Sequence, residues 1–168
     1  MTTLIGFSTP ARFNPVSWLV RRLTGSKASH AFFIYDDMDW GCQMVLEAHE
    51  LGFRLIPLEH FRRRNKVLAV FEPCVDISAG VQFVALEYLG EPYDFGGLIG
   101  FSFVLLGRWL RKKWHNPLHS TKAVFCSEAC VVALQCVNYP NASGLVPYDT
   151  EPQALFDFCS QEMPLAGN

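Results

Sequence analysis

Apolar and polar positions along the chain fall into two periods, and the change between them divides the fold. In the first half the apolar runs are short and alternate. Leu4-Ile5-Gly6-Phe7 predicts a strand that Ser8-Thr9-Pro10 ends. Asn14-Pro15 opens a predicted helix from Val16 to Leu23, stopped by Thr24-Gly25-Ser26. Ala31 to Tyr35 is a second strand with His30 at its beginning, on the face of Phe32 and Ile34. Asp36 to Gly41 reads as an acidic hairpin turn, and Gln43 to His49 as the returning strand. Val45, Glu47 and His49 then share one face, while Met44, Leu46 and Ala48 share the other. This hairpin brings either Glu47 or His49 beside His30. Phe53 to Pro57 predicts another strand, and Leu58 to Arg63 a short solvent-facing helical or loop piece. Val67 to Phe71 is so apolar that it reads as the central strand of the sheet.

Helical spacing takes over after Asp76. A helix is expected from there to Leu89, ended by Gly90. Glu91 to Phe95 is a turn. The run from Gly96 to Gly107 is apolar but short of the roughly 20 residues that span a bilayer. Arg108, Trp109, Arg111, Lys112, Lys113 and Trp114 follow it. A buried helix with a cationic end explains this segment, and an interfacial membrane contact from Gly96 to Trp114 is the sharper alternative. Val124 and Phe125 are β-formers. Beyond them Cys130, Val131 and Leu134 recur at helical spacing, which sets Cys126 at a helix start. Pro147 to Thr150 leads into a last helix from Glu151 to about Cys159, with a frayed tail from Ser160. No repeat or linker interrupts the chain, so residues 1–168 read as one α+β domain.

Composition narrows the function classes. Half of the residues are hydrophobic, which excludes a disordered chain. The net charge of -2 supplies no field that would recruit nucleic acid. Arg21 and Arg22 read as a solvated face, with an anionic headgroup contact as the sharper reading. The six cysteines are scattered, contain no CxxC pair, and follow no secretory leader. They are therefore expected to be reduced, in a cytoplasmic setting, with no metal and no cofactor. The cluster Asp36, Asp37 and Asp39 lacks the calcium-loop pattern.

One constellation carries chemistry. A thiol at a helix N-terminus meets unpaired N–H groups and the positive end of the dipole, which favour the thiolate. Cys126 as nucleophile, His30 as base and Glu47 as the carboxylate that orients the ring form a set suited to acyl transfer. His49 is the alternative third member.

The order Ser29-His30-Ala31-Phe32, Val45-Leu46-Glu47-Ala48, Leu89-Gly90 with Tyr93-Asp94, then Phe125-Cys126-Ser127-Glu128 resembles the circularly permuted NlpC-like branch of the papain-like cysteine hydrolases, the YiiX/YebB type. There the histidine strand precedes the cysteine helix. The resemblance implies a small twisted antiparallel sheet packed against the cysteine helix. It also implies a thiol peptidase, amidase or acyl hydrolase with catalytic Cys126, His30 and Glu47. Tyr93, Ser29 and Phe125 are the substrate-contacting residues expected from it. Peptide or amide bonds of cell-wall fragments and acyl lipids are the substrates it suggests, and a host-cell or virion location would follow for a phage protein. The competing expectation is a non-catalytic lipid- or membrane-surface-binding module on the same fold.

Overall fold

A computed structural model describes residues 2–14, 17, 18, 21, 22, 25–49, 52–90 and 125–167. Tyr93 and the segment from Gly96 to Trp114, singled out above, lie outside the described residues. The described strands are β1 (Thr3–Pro10), β2 (His30–Asp37), β3 (Cys42–His49), β4 (Gly52–Pro57) and β5 (Asn65–Phe71). They form one antiparallel sheet in the order β4-β3-β2-β1-β5. The α-helices with described bounds are α1 (Leu58–Arg62), α2 (Ser78–Tyr88), α3 (Cys126–Cys136) and α4 (Pro152–Glu162). The architecture is α+β. Residues 17, 18, 21 and 22 are helical, and Asn14 Oδ1 accepts the Ser17 N–H at 3.0 Å, as expected of a residue before a helix.

Both faces of the sheet are covered, because the middle strands carry apolar residues on both. Phe32, Ile34 and Val45 pack under Leu58 and Phe61 of α1. Ile5, Phe7, Ala31, Phe33, Leu46 and Ala48 face α2, α3 and α4, where Phe7, Phe71 and Phe156 meet edge to face. Helices α2 and α3 approach so closely at Gly80 that a Cβ there would run into the Ala133 carbonyl.

Three expectations need correction. Residues Val67 to Phe71 belong to an edge strand, not a central one. Its apolar run is explained by partial cover: Leu68 is exposed, and only Phe71 is fully buried. The tail is not frayed. Helix α4 continues to Glu162, and residues beyond it close the outer edge of β5 through Glu72 N–H to Pro164 O (3.0 Å) and Ala166 N–H to Val70 O (2.9 Å). An uncovered edge would expose a row of unpaired N–H and C=O groups, so this cover has a clear physical purpose. Finally, Ser8-Thr9-Pro10 does not end β1. The strand shifts register between Phe7 and Ser8 and stays paired through Pro10 with Asn65.

The solvent-facing reading of residues 58–63 holds for Arg62 and Arg63 but not for Leu58 and Phe61, which are buried. The hairpin turn is as expected, with Asp37 Oδ1 accepting the N–H groups of Asp39 and Trp40 at 3.0 Å each. All six cysteines are free thiols.

Candidate active site

Residue Phe125 is extended and Cys126 is the first residue of α3, as the change of period predicts. The following residues anchor this turn. Ser127 Oγ donates to Thr150 O at 2.7 Å, and the Glu128 carboxylate accepts the Phe125 N–H at 3.4 Å. Ser127 and Glu128 are both buried, so the start of α3 is fixed from two sides. Helix α3 directs Cys126 at the beginning of β2, where the backbone of Ala31 hydrogen-bonds the thiol.

His30 begins β2 at the rim of the sheet. Its ring stacks 6.0 Å from Phe32 and 6.2 Å from Phe61, centroid to centroid. Nε2 lies 2.7 Å from Glu47 Oε2, and the ring also hydrogen-bonds Cys126. Because Glu47 occupies Nε2, Nδ1 is the nitrogen left to face the thiol. Of the two carboxylate-or-imidazole alternatives on β3, Glu47 makes the contact with His30.

Glu47 has a second partner that the sequence reading missed. Arg54 donates from Nε (2.9 Å) and Nη2 (2.7 Å) to Oε1 of Glu47. The two residues are direct cross-strand partners in the β3–β4 hairpin. The Gly52 turn pairs His49 with Gly52, so counting outward from that turn pairs Glu47 with Arg54. Glu47 is 2% exposed and Arg54 is 25% exposed, so a nearly dry carboxylate is clamped between a ring and a guanidinium.

The charges of this row follow from its contacts. Burial disfavours an ionised Glu47, but the hydrogen bonds and charges of His30 and Arg54 prevail and lower it to about 2. Burial likewise opposes a charged His30. Hydrogen bonds to Cys126 and Glu47, with their charges, outweigh it and raise the imidazole to about 10. Burial raises the Cys126 thiol, yet His30, Ala31 and Ser127 together lower it below an ordinary thiol. The arrangement thus favours a thiolate–imidazolium pair held by an ionised carboxylate.

Of the remaining expected residues, Ser29 is half-buried, accepts the Ser17 hydroxyl at 2.6 Å and donates its N–H to Ser8 O at 3.1 Å. Phe125 is buried, directly before the first residue of α3. Among the described residues no group of three or more His, Cys, Asp or Glu side chains could hold a metal ion. No described helix is long and apolar enough to cross a membrane. Comparison with protein-family models and with curated proteins finds no match to this chain.

Proposed function

We propose that the protein is a thiol-dependent hydrolase or acyl transferase acting on an amide or ester carbonyl, built on a permuted papain-like fold. The observation that carries this reading is the single row Cys126–His30–Glu47–Arg54, with Nε2 of His30 held at 2.7 Å by a carboxylate. A buried imidazole with no chemical task has little reason to stand between an ionised carboxylate and a thiol at a helix start.

In the reaction the Cys126 thiolate attacks the carbonyl carbon, and the C=O electron pair moves onto oxygen. Backbone N–H groups at the start of α3 would stabilise that oxyanion. The tetrahedral species collapses and its C–N or C–O bond breaks. The leaving group takes the proton from His30 Nδ1, which leaves a thioester and a neutral imidazole. Water then attacks the thioester, gives its proton to His30, and releases the acid, while the proton returns the thiolate–imidazolium pair. Throughout, Glu47 fixes the ring and supports its positive charge, as the carboxylate of a nucleophile–base–acid triad does. Cell-wall peptides and acyl lipids are the two substrate classes this chemistry suits.

Intact-mass spectrometry after incubation with activated acyl esters tests the reading. An acyl adduct that maps to Cys126, and disappears in Cys126→Ala, is expected. Acylation spread evenly over the six thiols, or none at Cys126, would overturn it.

A further inference from the structure

The exposed cations of the described residues are unevenly spread along the sheet. Residues 9–22 and 62–66 contain seven cations (Arg12, Arg21, Arg22, Arg62, Arg63, Arg64, Lys66) and no acid. The fold gathers these two stretches at one end. Pro10 pairs with Asn65 and Thr9 with Lys66, the Ala11 N–H donates to Arg64 O at 2.9 Å, and Arg21 Nη1 donates to Thr9 Oγ1 at 3.2 Å. All seven cationic residues are exposed. The nearest described carboxylate in sequence is Glu59, which stands 3.8 Å from Arg63. The opposite end of the sheet carries the Asp36, Asp37 and Asp39 turn, with Glu72 and Asp76 beyond β5. A chain of net charge -2 has therefore gathered seven of its nine described Lys and Arg residues at one end.

Two large aromatic side chains stand out of that same surface. Phe13 is 81% exposed and Trp18 is 55% exposed, against the usual tendency of such residues to be covered. Phe13 follows Arg12 directly, and Trp18 precedes Arg21 and Arg22 by about one helical turn. Exposed aromatics set among arginines are the chemistry of a surface that meets anionic headgroups and places rings at their level. The site row lies at this end. Ser8 of β1 pairs with His30, Ser17 bonds Ser29, and Phe61 beneath the His30 ring adjoins Arg62.

We propose that this basic, aromatic end docks the protein on an anionic lipid surface, with the end of the sheet that carries the Cys126–His30 row turned toward the headgroups. The acidic end then faces away, so the charge separation also sets the orientation. That the lipid surface supplies the acyl substrate rests on the hydrolase reading; the docking itself does not.

Co-sedimentation of the full chain with vesicles tests the proposal, using phosphatidylcholine alone or mixed with phosphatidylserine. Binding is expected only to the phosphatidylserine vesicles and should fall as salt rises. The triple variant Arg12→Ala/Arg62→Ala/Arg64→Ala should weaken it by about fivefold per arginine, or about a hundredfold together. Phe13→Ala/Trp18→Ala should lose roughly tenfold. Met38→Ala/Trp40→Ala, at the exposed tip of the acidic hairpin, and Cys126→Ala should bind like wild type. Retained binding in both patch variants, equal binding to neutral vesicles, or no binding at all would overturn the proposal. Because Cys126→Ala is read by sedimentation and not by turnover, a failed hydrolase reading and a failed docking reading give different results.

Discussion

Cys126 and Cys130 stand one turn apart on the same helix, are both buried and are both free, yet their chemistry diverges. Cys126 has His30, two backbone contacts and the helix start, and its thiol is lowered. Cys130 lies wholly within the apolar core, where burial, aided by the nearby Cys126 and Cys159, raises its thiol well above the ordinary value. Burial pushes both in the same direction, so burial alone does not separate them. What separates them is a partner that can accept the proton and a row of charges that keeps the partner ready. A buried cysteine is a core residue by default, and the imidazole beside one of the two favours its thiolate.

The largest effect should come from removing the Cys126 thiol, with Cys130 as its control. Cys126→Ala is expected to lower acyl turnover by at least about a thousandfold, while Cys130→Ala changes it by less than about threefold and lowers stability by roughly 1 kcal/mol through a small cavity. Comparable losses in the two variants, measured by turnover and by denaturant melts, would erase the distinction. Next in size is Glu47. Glu47→Gln keeps the shape but cannot hold an imidazolium, so turnover should fall about a hundredfold. Glu47→Ala should also cost about 3 kcal/mol in urea unfolding, since it leaves partly buried Arg54 and His30 without their counter-charge. A stable, fully active Glu47→Ala protein would show that His30 needs no third residue.

Arg54 should have a smaller effect of a more diagnostic kind. With Arg54→Met the carboxylate loses one of the two partners that lower it, so Glu47 should titrate at higher pH and the acid limb of the rate profile should move up with it. Turnover at neutral pH should drop only about tenfold. A drop with no movement of the acid limb would mean that Arg54 acts through packing alone. The smallest effect concerns stability in acid. A carboxylate lowered on folding contributes stability above its unfolded value, and that contribution is lost as pH falls through the folded one. For Glu47 the window runs from 4.5 down to about 2. The wild-type protein should lose stability across it, and Glu47→Gln should lose less.

Much of this row could be read from the chain because each part has a local signature. A change from alternating to helical spacing locates Cys126, and strand alternation gives His30 and Glu47 a common face. Arg54 was equally within reach, since pairing outward from Gly52 joins it to Glu47, but an arginine in an apolar strand looks like ordinary solvent exposure until its partner is known. The choice between Glu47 and His49 could not be made in advance, because alternation puts both on one face. The edge position of β5 was hidden for a different reason. Its apolar content resembles that of a central strand, and the cover comes from residues 164–166, far away in sequence. Long-range pairing of this kind leaves no periodic trace.

The most direct test is the pH dependence of alkylation at each cysteine, resolved by mass spectrometry, in wild type and His30→Ala. Cys126 should react well below pH ~8.5, the value of a free thiol, and His30→Ala should move its profile upward while Cys130 stays unreactive in both. If Cys126 instead titrates as an ordinary thiol and His30→Ala leaves its profile in place, the thiolate–imidazolium pair does not exist and the account fails at its centre.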